Sequence, residues 1–311
     1  MYDVIALGEL LVDLAERAKD ENGYPTLAAN PGGAPGNFLA ALSAYGKKTA
    51  FLAKVGDDTF GHLLTGTMRR AGIDTRGILI SPDTFTTLAF VTFDAHGDRS
   101  FAFARKPGAD TQLTFDELDL SLIDETRVFH FGTLSLTGEP ARTTTYRAVE
   151  YAKAHGKLVT YDPNLRKPLW NDLNEAKEQM LWGLRQADVV KISDEEVEFL
   201  FGLGVQDGAQ YILDHYPVKL VFVTCGADGC WFQNCSASGH VDSLKGITVV
   251  DTTGAGDIFG GSAVWKLLQT GKAPEALDEA ELRVIVSFAC KAAGLSTTKH
   301  GGISSVPDSI S

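Results

Sequence analysis

Six short runs that are apolar at successive positions limit what this chain can fold into. They are Val4–Gly8, Ala50–Val55, Val128–Phe131, Leu158–Tyr161, Val189–Ile192 and Leu220–Val223. Strands covered on both faces have this pattern, whereas strands wet on one face alternate. The segments between them have helical periodicity: Gly36–Tyr45, Asp58–Ala71, Pro140–His155, Leu173–Gln186, Asp194–Phe201 and Asp207–His215. The rhythm predicts an α/β fold with a central, mostly parallel sheet flanked by helices. Ligands of such sheets bind beyond the carboxyl ends of the strands. Asp13, Asp162, Ser193, Gly226 and Asp251 fall at such ends.

Two stretches break the rhythm, residues 10–30 and 86–105. The second alternates through Thr86–Phe93, turns at Asp94–Asp98 and alternates again to Arg105. That is a hairpin pattern. The two stretches are expected to form a small β-sheet lid on a single domain spanning 1–311. A hairpin that merely covers a sheet edge would give the same pattern.

The formal net charge of -12 argues against nucleic acid and anionic membranes as partners. No apolar run approaches the roughly 18 residues of a membrane span, and no basic, signal-like start precedes the first strand; a cytoplasmic protein is expected. Cys225, Cys230 and Cys235 lie five residues apart with His240 five further on. The spacing is unlike a zinc knuckle, so reduced thiols are expected.

The chemistry concentrates in Asp251–Gly261. A glycine-rich turn at Gly254, Ala255 and Gly256 follows a strand-like run, Gly246–Val250, and opens a helix from Ile258 to Gln269. Such a turn binds anions, because the first N–H groups of a helix have no intrahelical partner. Asp257 at its mouth would repel a phosphate. A carboxylate there suggests a base acting on a hydroxyl that attacks phosphate. An acidic first helical turn is the plainer alternative. A second glycine turn, Asn30–Asn37, offers close backbone approach at Gly32 and Gly33 and an amide at Asn37 suited to sugar hydroxyls. Asp13 can hold vicinal hydroxyls or be a solvated strand end. Arg105 can serve a ligand or be a surface charge. After Asp162, Pro163 ends the strand, so Asn164 and Arg166 project from a fixed turn, where an Arg can fork onto phosphate. Ser193 and Glu196 fit a helix capping box, which competes with magnesium binding by Glu196. Thr224, Gly226 and Gly229 form a tight turn after a strand. No Walker-type loop and no dinucleotide fingerprint is present.

Together these motifs resemble the ribokinase-like (pfkB) family of carbohydrate kinases. The resemblance runs from Gly8–Asp13 through Gly32–Gly33 and Asp251–Asp257 to Lys299–Pro307. Within the family the chain looks most like the fructokinases, on Gly8–Asp13, Gly33–Asn37, Phe103–Asp110, Phe131–Pro140 and Tyr161–Trp170. The resemblance implies transfer of the γ-phosphoryl group of ATP to the 6-hydroxyl of D-fructose. Asp257 would be the base and the N–H groups of Gly254, Ala255 and Gly256 the anion hole. Asp13, Gly32, Gly33, Asn37 and Arg105 would hold the sugar. Asn164, Arg166, Lys191, Ser193, Glu196, Thr224, Gly226, Gly229, Gly256 and Cys290 would lie toward ATP, with Mg2+ held by Glu196 through water. Asp251, Thr253, Gly301 and Ser305 match a K+ site. A monomer, or a homodimer through the lid, is implied.

The chain departs from the family pattern at three places. Gly36 stands for the usual Ala before Asn37, which loosens a helix start by up to ~1 kcal/mol. Ser193 stands for the usual Asn, and Cys290 for a frequent adenine-side Asn. Alternatives are another sugar kinase of the family, such as one acting on 2-keto-3-deoxygluconate, or a non-catalytic sugar-binding regulator.

Overall fold

The consecutive apolar runs become the inner strands of one large sheet. The computed structural model describes residues 1–93 and 99–307. Its elements, in chain order, are β1 (Tyr2–Leu7), β2 (Leu11–Lys19), β3 (Pro25–Gly32), α1 (Ala34–Ala44), β4 (Thr49–Gly56), α2 (Thr59–Arg70), β5 (Ile78–Ser81), β6 (Leu88–Phe93) and β7 (Arg99–Ala104). There follow α3 (Leu120–Asp124), β8 (Thr126–Gly132), α4 (Ala141–Ala154), β9 (Leu158–Asp162), α5 (Leu173–Gln186), β10 (Val189–Ser193), α6 (Asp194–Phe201) and α7 (Val205–His215). The chain continues through β11 (Leu220–Thr224), β12 (Cys230–Asn234), β13 (Ser238–Val241), α8 (Ala255–Thr270) and α9 (Glu279–Ser296).

Nine strands pair in the order β13-β12-β11-β10-β9-β8-β1-β4-β5. β12 and β13 are antiparallel to their neighbours, and the other seven strands are parallel. Successive residues of one strand serve opposite cores, which is why both parities are apolar. On β1, Val4 and Ala6 pack with Phe38 of α1 and Met68 of α2. Ile5 and Leu7 join the cluster that holds Val149 of α4 and Met180 of α5. A third cluster sets Phe222 and Phe232 against α8 and α9.

From β1 the chain builds outward through β4 and β5, then returns to the other side of β1 with β8, β9, β10 and β11. The strand order reverses between β1 and β8, so a crevice opens at their carboxyl ends. A separate four-stranded sheet, β3-β2-β6-β7, is built from the two stretches that lack helical rhythm, with β3 running two residues past the first of them. The expected turn Asp94–Asp98 lies outside the described residues.

One expectation fails here. Gly246–Val250 is not a strand. The Val250 and Asp251 N–H groups bond the Thr297 carbonyl at the end of α9, and Val249 and Val250 are exposed. The apolar run covers a cavity, described below, rather than a sheet. The helix α9 had no counterpart among the segments read from sequence, although Asp278 and Glu281 give it a full capping box. Among the described residues no helix is long and apolar enough to cross a membrane.

Candidate active site

Asp257 occupies the third position of α8, whose amino end is set by Gly254 with φ 77. A side chain there would meet Gly302 Cα at 2.8 Å and Asn37 Nδ2 at 3.0 Å, so the turn needs glycine for both conformation and space. The Asp257 carboxylate is buried and accepts a 2.8 Å hydrogen bond from Asn37 Nδ2. Burial raises its pKa; the Asn37 hydrogen bond and the charges of Lys191 and Arg166 act in the opposite sense, and Glu196 adds to the rise. The sequence places Asn37 and Asp257 220 residues apart; α1 packing on α8 brings them together.

Two cavities meet at this helix end. The smaller, about 280 Å³, is lined by Asp13, Gly33 and Asn37, three of the expected sugar ligands, by Asp257, the expected base and sugar contact, and by Gly254 at the helix turn. The larger, about 750 Å³, is lined by Ser193, Thr224, Gly226, Gly229 and Cys290, all expected toward ATP, together with Ala255. Lys191, Thr252 and Gly256 line both. Ile247, Val249, Leu244 and Ala293 give the larger cavity an apolar wall, which accounts for the exposed Val249 after Gly246.

Lys191 Nζ donates to both Asp162 oxygens, at 3.3 and 3.1 Å; Asp162 is buried and Lys191 partly so. Desolvation works to lower the Lys191 pKa, but Asp162, Glu196 and Asp257 outweigh it and leave it raised. Asp162 is pushed up to about 7 by burial, against the pull of Lys191. A Cβ on Gly256 would stand 2.9 Å from Lys191 Nζ, so the second glycine of the turn makes room for the ammonium. Asp13 is pushed up to about 6 by burial, opposed by Arg166. Gly32 lines neither cavity; the space its side chain would fill is taken by the Asp13 carboxylate, 2.3 Å from an ideal Cβ.

Several expected placements are corrected. Asn164, at φ 47, and Arg166 line the smaller cavity rather than the larger, because the turn after β9 bends toward Asp13. Arg105 lines neither. Its guanidinium is buried in a pair with Asp110 at 2.6 Å and also donates to Thr137 Oγ1 and the Leu134 carbonyl. It faces a separate groove beside Phe60 and Phe85. Glu196 lines neither cavity: Oε2 accepts from the Ser193 N–H and Oε1 from the Leu165 N–H, while Ser193 Oγ caps α6. The Ala255 N–H is taken by the Thr252 carbonyl at 3.2 Å, so an anion hole here draws on the neighbouring amides. Asp251 ties two loops together, accepting from Thr253 N and Oγ1 and from Gly301 N, while Ser305 Oγ donates to the Gly302 carbonyl. Glu9 was absent from the sequence candidates. It is buried, lines the smaller cavity and accepts from the Ala34 N–H at 2.9 Å. The signal available was a lone carboxylate in the apolar stretch Ile5–Val12.

Comparison with known proteins identifies the family. The model of the pfkB family carbohydrate kinases matches residues 1–309, and the chain belongs to that family. It is an ATP-dependent carbohydrate kinase of ribokinase-like fold. It is 41% identical over 307 residues to Fructokinase-2 of Solanum lycopersicum, covering 98% of this chain and 93% of that protein. The structure of a Xylella fastidiosa fructokinase with bound ATP superimposes with a TM-score of 0.90 at 28% identity, covering 99% of this chain and 96% of that one. A Vibrio cholerae O395 fructokinase with fructose, ADP and calcium ion bound gives 0.85 at 30%, covering 98% and 96%.

Proposed function

We propose that this protein is a fructokinase that transfers the γ-phosphoryl group of ATP to the 6-hydroxyl of D-fructose, with Asp257 as general base. The observation that carries the reading is the position of Asp257: a buried carboxylate, aimed by Asn37, on the helix turn where the two cavities meet. The fructokinase relatives, one of them described with fructose and ADP, support the choice of sugar.

In this reading fructose occupies the smaller cavity, its ring hydroxyls held by Asp13, Asn37 and Asn164 with Gly33 giving close approach. Asp257 takes the 6-hydroxyl proton as that oxygen attacks phosphorus; burial raises its pKa and with it the carboxylate's affinity for that proton. ATP lies in the larger cavity, its base against the apolar wall and Cys290 and its phosphates toward Gly256. Charge developing on the transferred group meets the helix-end amides, Lys191 and Arg166. Arg105 acts from behind the cavity by fixing the Leu134 turn rather than by touching sugar. The small sheet serves as the lid, excluding water.

Magnesium bound with ATP supplies charge neutralisation to the phosphates. Glu196 suits only an indirect contact: both of its oxygens already accept backbone N–H groups, and each retains a lone pair for water. Potassium fits the junction of the 251–253 and 301–305 loops, which the Asp251 carboxylate holds together.

Arg105 bears on the sugar-acid alternative. An Arg whose donors are committed to Asp110, Thr137 and Leu134 does not offer a fork to a substrate carboxylate. Coupled measurement of ADP release across a sugar panel tests the assignment. Fructose is expected to exceed ribose, glucose and 2-keto-3-deoxygluconate in kcat/KM by at least ~10-fold, since a hydroxyl-binding site rejects ligands that leave its polar groups unpaired. A sugar acid that outruns fructose would overturn the choice of substrate.

A further inference from the structure

Glu9 has no part in the transfer described above, yet it is 2% exposed, less than Asp257 at 8%. Burying a carboxylate is costly, so one kept at a cavity wall needs a compensating contact. The nearby cation does not supply it as a direct partner, because the Arg105 N–H groups go to Asp110, Thr137 and the Leu134 carbonyl. The contact that Glu9 does make is with the start of α1. Oε1 accepts from the N–H of Ala34, the first residue of that helix, at 2.9 Å. That N–H is one that a helix leaves without an internal partner. The Glu9 main chain grips the same turn: its carbonyl oxygen lies 2.5 Å from where a Cβ of Gly33 would stand, and Gly33 has φ 111. Asn37 follows within the first turn of the helix, its N–H bonded to the Gly33 carbonyl at 3.1 Å and its amide to Asp257 at 2.8 Å.

We propose that Glu9 is a positioning residue for the reaction: by clamping the amino end of α1 it sets the place of Asn37, and Asn37 aims the Asp257 carboxylate at the acceptor hydroxyl. The proposal rests on the reading of Asp257 as the base. Misplacement of a reacting group by about 1 Å costs up to ~10²-fold in rate, so a clamp two contacts away from the reacting atoms has a measurable effect on turnover.

The test is a double-mutant cycle read in kcat. Glu9→Ala is expected to lower kcat for fructose about 10-fold with the KM for ATP changed less than about 2-fold; in an Asn37→Ala background the same change is expected to cost less than about 2-fold, because coupled residues are non-additive. Glu9→Gln keeps an oxygen to accept from Ala34 and is expected to retain kcat within about 3-fold. Ala34→Pro removes the same hydrogen bond from the donor side, at the first helical position where proline is tolerated, and is expected to reproduce the Glu9→Ala loss if that variant does not fold. Equal losses in the two backgrounds, a Gln variant as impaired as the Ala variant, or a loss confined to KM would overturn the clamp. An unmodified protein that releases no ADP in response to any sugar would instead overturn the functional reading.

Discussion

At the residue scale the site depends on a carboxylate that would be poor chemistry in water. Asp257 is buried on a turn suited to anions, and its raised pKa reflects that burial. Asp257→Asn keeps the shape and removes the proton acceptor. The expected outcome is a fall in kcat of at least ~10²-fold with fructose affinity largely kept, checked by steady-state kinetics beside calorimetric binding. Near-normal turnover in the folded variant would remove Asp257 from the role. Gly302 tests the geometry from the other side. A Cβ there would lie 2.2 Å from Asn37 Oδ1, so Gly302→Ala must push the Asn37 amide off Asp257. A loss of kcat of about 10-fold or more is expected, with fold and ATP affinity retained. Asp257 and Asn37 were legible in the sequence as types of residue in types of turn. Their hydrogen bond was not, because nothing local to either turn encodes a partner 220 residues away.

At the scale of elements, the turn after β7 is tied to the body by Arg105 and Asp110, which also receives a hydrogen bond from Thr87. Both side chains are nearly inaccessible, at 4% and 2%. Removing one partner leaves the other as an uncompensated buried charge, a loss of about 3–5 kcal/mol. Arg105→Ala is therefore expected to lose stability on that order in urea unfolding, and Arg105→Met combined with Asp110→Asn to regain part of it. An unfolding midpoint unchanged in Arg105→Ala would contradict the pair. Sequence reading saw Arg105 as a ligand or a surface charge, since an Arg at the end of an amphipathic hairpin carries no local mark of burial. The helices Leu173–Gln186 and Asp194–Phe201 were legible to the residue. There periodicity and caps agree: Asp172 caps the first and the Ser193–Glu196 box the second. That box also explains why Glu196 could be read two ways. One carboxylate can complete a cap and still face a metal through water, and the spacing is the same for both.

For the whole molecule, several acids have folded-state pKa values above their ordinary ones: Glu9 and Asp162 at about 7 and Asp13 at about 6, each through burial. Such groups bind more protons folded than unfolded. Their contribution to stability is present below the ordinary carboxylate range and is lost as pH rises through 6 to 7. A net charge of -12 adds self-repulsion in the same direction. Without ligands, the urea midpoint is expected to fall between pH 5.5 and pH 8, and Glu9→Gln to be more stable than the unmodified protein at pH 8 by roughly 3 kcal/mol. A midpoint that rises over this interval would contradict the assignment. Activity is expected to require magnesium and to increase when sodium is replaced by potassium, read as kcat at constant ionic strength. What the sequence determined by itself was the layered α/β class, most helix bounds and the glycine turn that opens α8, because these follow from period, caps and glycines within a few residues of one another. What only the tertiary structure decided was which charges are spent and which face a cavity. Arg105 and Glu196 are committed to Asp110 and to backbone N–H groups, Asn164 and Arg166 line the smaller cavity, and Glu9 accepts a hydrogen bond from the start of α1. Those outcomes depend on burial and on partners remote in sequence, and a charged side chain is identical in the sequence whether its neighbour is water, a helix end or a substrate.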